Sequence, residues 1–215
     1  MGISKLAVVG ATGNVGREML NILSERNFPC EEVIALASER SEGDAVPFGN
    51  KELIVQSLSS YDFSETSIAL FSAGGKISEV YGPIAAEQGC IVIDNSSKFR
   101  MDNDVPLIVP EVNIEMLEHY RTTNIIANPN CSTIQMVVAL KPLEDLASIN
   151  RINVSSYQST SGAGKVAMEE LFNQTKGIFS NQEVQPESFT KQISFNVIPQ
   201  IGPFLENGNT EEEQK

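Results

Sequence analysis

The sequence predicts an α/β fold, a doubly wound and mainly parallel sheet followed by part of an α+β domain. Three observations carry this expectation. The first third of the chain alternates short apolar runs with helix-like segments, the pattern of parallel strands joined by crossovers. A glycine-rich turn links the first apolar run directly to the first helical segment. After Ile149 an alternation of period two replaces the buried apolar runs. The division is expected at residues 128–131, giving a first domain over 1–130 and a second over 131–215.

The elements follow in order. Leu6-Ala7-Val8-Val9 reads as a short buried strand. Gly10–Gly16 reads as a tight turn, and Gly16–Glu25 as a helix with Val15, Met19, Ile22 and Leu23 on one face. Pro29 ends that excursion, and Val33–Leu36 is the second strand. Leu53-Ile54-Val55 and Ile68–Phe71 are further strands. Ile77–Gln88 is a helix stopped by Gly89, and Cys90–Ile93 is the next strand. Asn124–Ala127 runs into Asn128-Pro129-Asn130-Cys131, and an apolar helix covers Ser132–Leu146, with Pro142 bending or shortening it. Beyond it come a long alternating strand, Arg151–Gln158, a Ser/Gly loop, a helix over Gly164–Lys176 and a polar loop, Asn181–Lys191. Thr210 with Glu213 forms a capping box, which opens a helix. Lys215 stands one turn later, so a helix cut short is expected.

Composition excludes several functions. Fifteen Lys and Arg against 28 Asp and Glu give a net charge of −13, which provides no counterion-release drive toward nucleic acid and no polybasic stripe for anionic lipid. No apolar run is long enough for a membrane span, and the N-terminus lacks the layout of a signal peptide. The three cysteines, Cys30, Cys90 and Cys131, are widely spaced and form no CxxC pair. That points away from a disulfide framework or zinc site and toward a reducing cytoplasm. A single histidine, His119, in the polar helical turn Ile114–Tyr120, reads as a surface residue and leaves no multi-histidine metal centre.

Gly10-Ala11-Thr12-Gly13-Asn14-Val15-Gly16 has the spacing G-x-x-G-x-x-G between a strand and a helix. Small residues let the backbone approach a pyrophosphate, and the helix N-terminus offers N–H groups and positive potential. This is a variant of the dinucleotide fingerprint of Rossmann-type domains; the alternative is a plain glycine turn. The end of the second strand then meets the adenosine ribose. In Ser38-Glu39-Arg40-Ser41 the acid would grip a 2′-hydroxyl, whereas Arg40 and Ser41 would bind a 2′-phosphate. The string favours NADP over NAD, the alternative being a solvated charged loop. Ser72-Ala73-Gly74 ends another strand with residues small enough for close approach to the cofactor, or forms an ordinary turn.

In Asn128-Pro129-Asn130-Cys131-Ser132-Thr133 the cysteine enters the first turn of a helix, whose N–H groups and dipole favour the thiolate of a nucleophile. A buried structural cysteine is the alternative, and it is the reading given to Cys30 and Cys90. Gln158, closing its strand, is placed to orient a polar substrate, and Ser161-Gly162 to lie against a nicotinamide; a plain strand–helix turn is the alternative. Arg100, in a strand-end loop, is either a clamp for phosphate or carboxylate or a solvated surface residue.

Together these strings resemble the aspartate-β-semialdehyde dehydrogenase family. The resemblance rests on Val8–Gly16, Ala69-Leu70-Phe71-Ser72-Ala73-Gly74, Val109-Pro110-Glu111-Val112-Asn113, Asn128–Met136, and Tyr157-Gln158 with Ser161–Gly164, in the family's order along the whole chain. It implies NADPH-dependent reductive dephosphorylation of L-4-aspartyl phosphate to L-aspartate 4-semialdehyde, a branch point toward lysine, methionine, threonine and isoleucine. By position, Cys131 resembles the nucleophile that forms an acyl thioester, and Gln158 the residue that orients the substrate. Arg100 and Asn130 resemble the phosphate-binding pair, and Lys215 a second phosphate-contacting cation. Gly10, Thr12 to Val15, Arg40, Ser41, Ser72, Ala73, Gly74, Ser161 and Gly162 resemble cofactor contacts. The related N-acetylglutamyl-phosphate reductases carry glycine immediately before the cysteine, where this chain has Asn130; they and a non-catalytic NADP-binding module remain the alternatives. The resemblance also implies a cytoplasmic homodimer. Family members run longer, through a substrate-carboxylate arginine, an acid–base histidine and a last helix of the cofactor domain. On that comparison this chain is expected to turn over poorly and to carry an incomplete dimer surface.

Overall fold

A computed structural model describes residues 3–182 and 184–214. Strand β1 (Ile3–Val9) leads into helix α1 (Asn14–Glu25), and β2 (Cys30–Ala37) precedes a hairpin of β3 (Ala45–Phe48) and β4 (Lys51–Ile54). Then follow β5 (Gln56–Ser57), β6 (Ile68–Phe71), α2 (Gly75–Glu87), β7 (Ile91–Asp94), the short α3 (Pro110–Asn113), β8 (Ile125–Ala127) and α4 (Cys131–Glu144). Helices α5 (Lys165–Phe179) and α6 (Glu211–Gln214) complete the order. The chain divides into two compact units, Met1–Ile152 and Asn153–Lys215.

In the first unit six strands pair in the order β5-β2-β1-β6-β7-β8, every ladder parallel. The expected doubly wound parallel sheet is therefore present. Its strands read as continuous apolar runs because both faces are covered. Ala7, Val9, Ile34, Leu36, Ala69 and Phe71 pack on one face with Ala85 and Ala86 of α2 and with Phe99. Leu6, Val8, Ala35 and Ala37 pack on the other with Leu20 and Leu23 of α1 and with Val46 of the hairpin. Successive residues of β1 thus enter opposite cores, as the period of two demands.

Most boundaries fall within two or three residues of the sequence expectation, with three informative differences. Helix α1 starts at Asn14 rather than Gly16, so the glycine turn is shorter and its last three residues are already helical. Leu53 and Ile54 lie in the antiparallel β3–β4 hairpin, outside the main sheet. The alternating segment Arg151–Gln158 forms no strand. Alternation gives a strand only where a neighbouring strand accepts from its N–H groups and donates to its C=O groups, and no described residues pair with it; Val154 and Tyr157 are 69% and 87% exposed. Helix α4 begins at Cys131 and runs through Pro142 to Glu144, two residues short of expectation, and none of its side chains is buried despite its apolar composition. The capping box is present as read: Thr210 N donates to Glu213 Oε2 at 2.7 Å, and Glu213 N to Thr210 Oγ1 at 3.3 Å.

Candidate functional site

The register aligns the strand ends. Val9 pairs with Leu36 and with Phe71, Phe71 with Asp94, and Asp94 with Ala127. The segments that follow, 10–16, 38–41, 72–74, 95–100 and 128–131, therefore leave along one carboxyl edge of the sheet. In an open parallel sheet that edge carries the ligand crevice, at the switch between strands whose connections turn in opposite directions. Every candidate of the first unit lies on it.

The glycine turn and Ser72-Ala73 are packed together. Gly10 has φ +86°, and a Cβ there would stand 3.0 Å from the Ala73 nitrogen and the Ser72 hydroxyl. Gly10 N and Ala11 N both donate to Leu36 O, at 2.8 and 3.0 Å, tying the turn to β2. Ser72 donates to Val9 O from both N and Oγ, each at 2.9 Å. A Cβ on Gly16 would lie 2.2 Å from Gly10 O, so α1 can rest on the turn only with glycine there. No side chain caps α1 at Gly13, and Gly13, Asn14 and Val15 are exposed while Thr12 is half-buried. On the neighbouring turn Arg40 is exposed and Ser41 half-buried, whereas the Glu39 carboxylate accepts from Ser59 Oγ at 2.7 Å.

Farther along the edge, Cys131 is exposed and is the first residue of α4. Asn130 is the N-cap: its Oδ1 accepts from Ser132 N at 2.9 Å and from Ser132 Oγ at 2.8 Å. The other cysteines are sequestered. Cys90 is fully buried, and desolvation pushes its thiol up to about 12. Cys30 is half-buried and raised by the same cause. Arg100 is half-buried, its Nε donating to Asn128 O at 2.8 Å and its Nη2 to Asn95 O at 3.2 Å, which is not a solvated surface arginine. Asn128 Nδ2 donates to Asn95 Oδ1 at 2.7 Å.

Sequence reasoning assigned no role to Asp94, Asn95 or Asn128. Asp94 is 0% exposed and accepts from Ser78 Oγ and Ser96 Oγ, each at 2.6 Å. The signal available was a carboxylate ending an apolar strand, since charged side chains are seldom fully buried without partners.

In the second unit, Gln158 lies against Gly162 in the turn Thr160–Ala163 ahead of α5; a Cβ on that glycine would come within 2.3 Å of Gln158 Nε2. Ser161 Oγ shares a 2.6 Å hydrogen bond with Ser159 Oγ. Lys215 lies outside the described residues. His119 is exposed, as read. Among the described residues no helix is long and apolar enough to cross a membrane, and no three His, Cys, Asp or Glu side chains gather as metal ligands.

Comparison with known proteins gives the family. Residues 5–120 match the family model described as semialdehyde dehydrogenase, NAD binding domain, and residues 140–215 match semialdehyde dehydrogenase, dimerisation domain. Over 210 residues the chain is 54% identical to aspartate-semialdehyde dehydrogenase 2 of Vibrio cholerae, covering 98% of this chain and 62% of that protein. The crystal structure of the V. cholerae aspartate semialdehyde dehydrogenase II complexed with ASA superimposes with a TM-score of 0.95 at 53% identity, over 99% of this chain and 63% of that one. The Candida albicans aspartate semialdehyde dehydrogenase with NADP gives a TM-score of 0.60 at 26% identity, over 68% of this chain and 48% of that one. The chain thus spans under two thirds of the length of these relatives. The sheet order, the glycine turn and the match of both models in sequence lead to one assignment: the chain belongs to the semialdehyde dehydrogenase family.

Proposed function

We propose that this chain carries the nucleotide site and the nucleophile of a cytoplasmic aspartate-semialdehyde dehydrogenase, which acts as a homodimer in the synthesis of lysine, methionine, threonine and isoleucine. The reaction converts L-4-aspartyl phosphate, NADPH and a proton to L-aspartate 4-semialdehyde, NADP and phosphate. One observation carries the reading: an exposed cysteine opens a 14-residue helix on the strand edge that also bears the glycine turn. The nucleotide-binding portion is drawn to residue 130 and the catalytic portion from residue 131.

The residues fit a dinucleotide. The turn from Gly10 through Thr12, Gly13, Asn14 and Val15 has no room for side chains at its closest approaches, and the uncapped start of α1 suits a pyrophosphate. Ser72, Ala73 and Gly74 extend the same floor. Arg40 and Ser41 are the residues for a 2′-phosphate, and Ser59 holds the Glu39 carboxylate on its own hydroxyl. Ser161 and Gly162 are assigned to the nicotinamide end. When bound, NADPH supplies the hydride that turns the acyl group into the aldehyde.

The side chains divide the remaining work. Cys131 Sγ attacks the acyl carbon, a C–S bond forms, and the C–O bond to phosphate breaks with its electron pair leaving on phosphate. Arg100 and Asn130, with Lys215, bind the departing dianion, where fixed donors stabilise developing charge best. Gln158 orients the substrate. The C–S bond later breaks as the aldehyde departs, returning the thiolate.

The test is intact-mass analysis after exposure to L-4-aspartyl phosphate without cofactor. One aspartyl group on Cys131, absent in Cys131→Ser, is expected. An unmodified chain, or label on Cys30 or Cys90, would overturn the assignment.

A further inference from the structure

We propose that Asn95 and Asn128 are positioning residues that brace Arg100 beside the turn delivering Cys131. The inference rests on the reading of Arg100 as a phosphate ligand and goes beyond it by naming what holds that cation in place. Arg100 Nε and Nη2 are directed at two carbonyl oxygens, Asn128 O at 2.8 Å and Asn95 O at 3.2 Å. Those oxygens belong to different strand ends, after β8 and after β7. The two ends are tied to one another by the bond from Asn128 Nδ2 to Asn95 Oδ1, 2.7 Å, and by Asn128 N donating to Asp94 O at 2.8 Å. Asn95 N in turn donates to Phe71 O at 2.9 Å, anchoring the brace to the sheet. Below it, Asp94 is buried between the Ser78 and Ser96 hydroxyls.

The consequence is geometric. Donation through both Nε and Nη2 fixes the plane of a guanidinium, which otherwise carries a large rotamer entropy. Asn128 stands two residues before the N-cap Asn130 and three before Cys131, so one short turn sets both the cation and the start of α4. Removing either asparagine amide leaves the carbonyl acceptors and the backbone bond from Asn128 N to Asp94 O, but takes away the side-chain tie that sets the two carbonyls against each other. Phosphate then binds a cation that must first be ordered, and affinity falls without any loss of a phosphate contact.

The experiment titrates inorganic phosphate against the rate of Cys131 alkylation by iodoacetamide on the intact chain, alongside NADP binding and the thermal midpoint. Wild type is expected to show saturable protection. Asn128→Ala and Asn95→Ala are each expected to raise the half-saturating phosphate concentration about tenfold, the scale of one hydrogen bond. The phosphate-free alkylation rate and NADP affinity should stay within about twofold, because a single bond between two loops changes neither thiol exposure nor the glycine turn. The double variant should be no worse than the weaker single one, since both remove the same bond. Unchanged half-saturation in both variants, with Arg100→Ala raising it, would overturn the brace and leave the phosphate reading standing. A lowered midpoint with unchanged half-saturation would reduce the asparagines to packing and overturn it equally. Absence of any phosphate effect in wild type would remove the phosphate reading and the brace together.

Discussion

Limiting iodoacetamide at neutral pH should separate the three cysteines by orders of magnitude. The thiolate is the attacking species, so the rate follows access and the fraction ionised. Cys131 is exposed at the start of α4, Cys30 is half-buried in β2, and Cys90 is fully enclosed before β7. Burial moves the Cys90 thiol from 9.0 to about 12, three decades. Near neutrality its thiolate fraction is therefore lower than that of an ordinary thiol by roughly 10³, before any loss of access. The assay is a time course of intact mass with peptide mapping. The expected order is Cys131, then Cys30, then Cys90, with the ranking erased in denaturant. The same shift fixes a sign for stability. The folded chain keeps the Cys90 proton where the unfolded chain has lost it, so the neutral thiol's contribution is complete below 9.0 and declines as pH climbs toward about 12. The slope is at most about 1.4 kcal/mol per pH unit, and Cys90→Ala should remove it. Labelling of Cys90 within tenfold of Cys131 in the folded chain would refute the reasoning.

Two further outcomes follow from contacts along the strand edge. Gly16→Val places a Cβ 2.2 Å from Gly10 O and 2.9 Å from the Ala11 Cα, both backbone atoms that cannot swing aside. It should cost about 1–3 kcal/mol or more in urea titration and weaken NADP binding, and an unchanged urea midpoint would show that the turn yields freely. Ser59→Ala frees the Glu39 carboxylate now held at 2.7 Å, so the preference for NADP over NAD should narrow several-fold in equilibrium titrations. A preference that stays constant or widens would mean that Glu39 faces away from the ribose site.

How far the molecule could be read without coordinates depended on the range of each interaction. Strands β1 and β6, helix α2 and the Thr210–Glu213 box carry their signal in runs of adjacent residues, and all were legible. The glycine turn was equally legible, because positive φ and close helix approach are demands made on single residues. Cys131 could be placed at a helix start from its own string. The same local reading failed for Arg151–Gln158, where a pattern of period two stood without a ladder partner. Leu53-Ile54 was legible as a strand, but not its pairing with β3 outside the main sheet.

The brace shows the other limit. Arg100 meets Asn128 across 28 positions, and Asn128 meets Asn95 across 33. Nothing in either string announces its partner, since an asparagine in a loop looks the same whether it is solvated or clamped. Glu39 and Ser59, 20 positions apart, behave likewise. Apolar periodicity and glycine spacing by themselves determined the parallel sheet and the turn between β1 and α1, and the string around Cys131 placed that cysteine at a helix start. Tertiary structure alone decided which strand ends stand side by side, and with that which hydroxyl takes up a carboxylate and which carbonyls hold a guanidinium. The reason is physical: backbone conformation and burial are set by local pattern, whereas a hydrogen bond between side chains exists only once the register of the sheet has brought distant residues within three ångströms of one another.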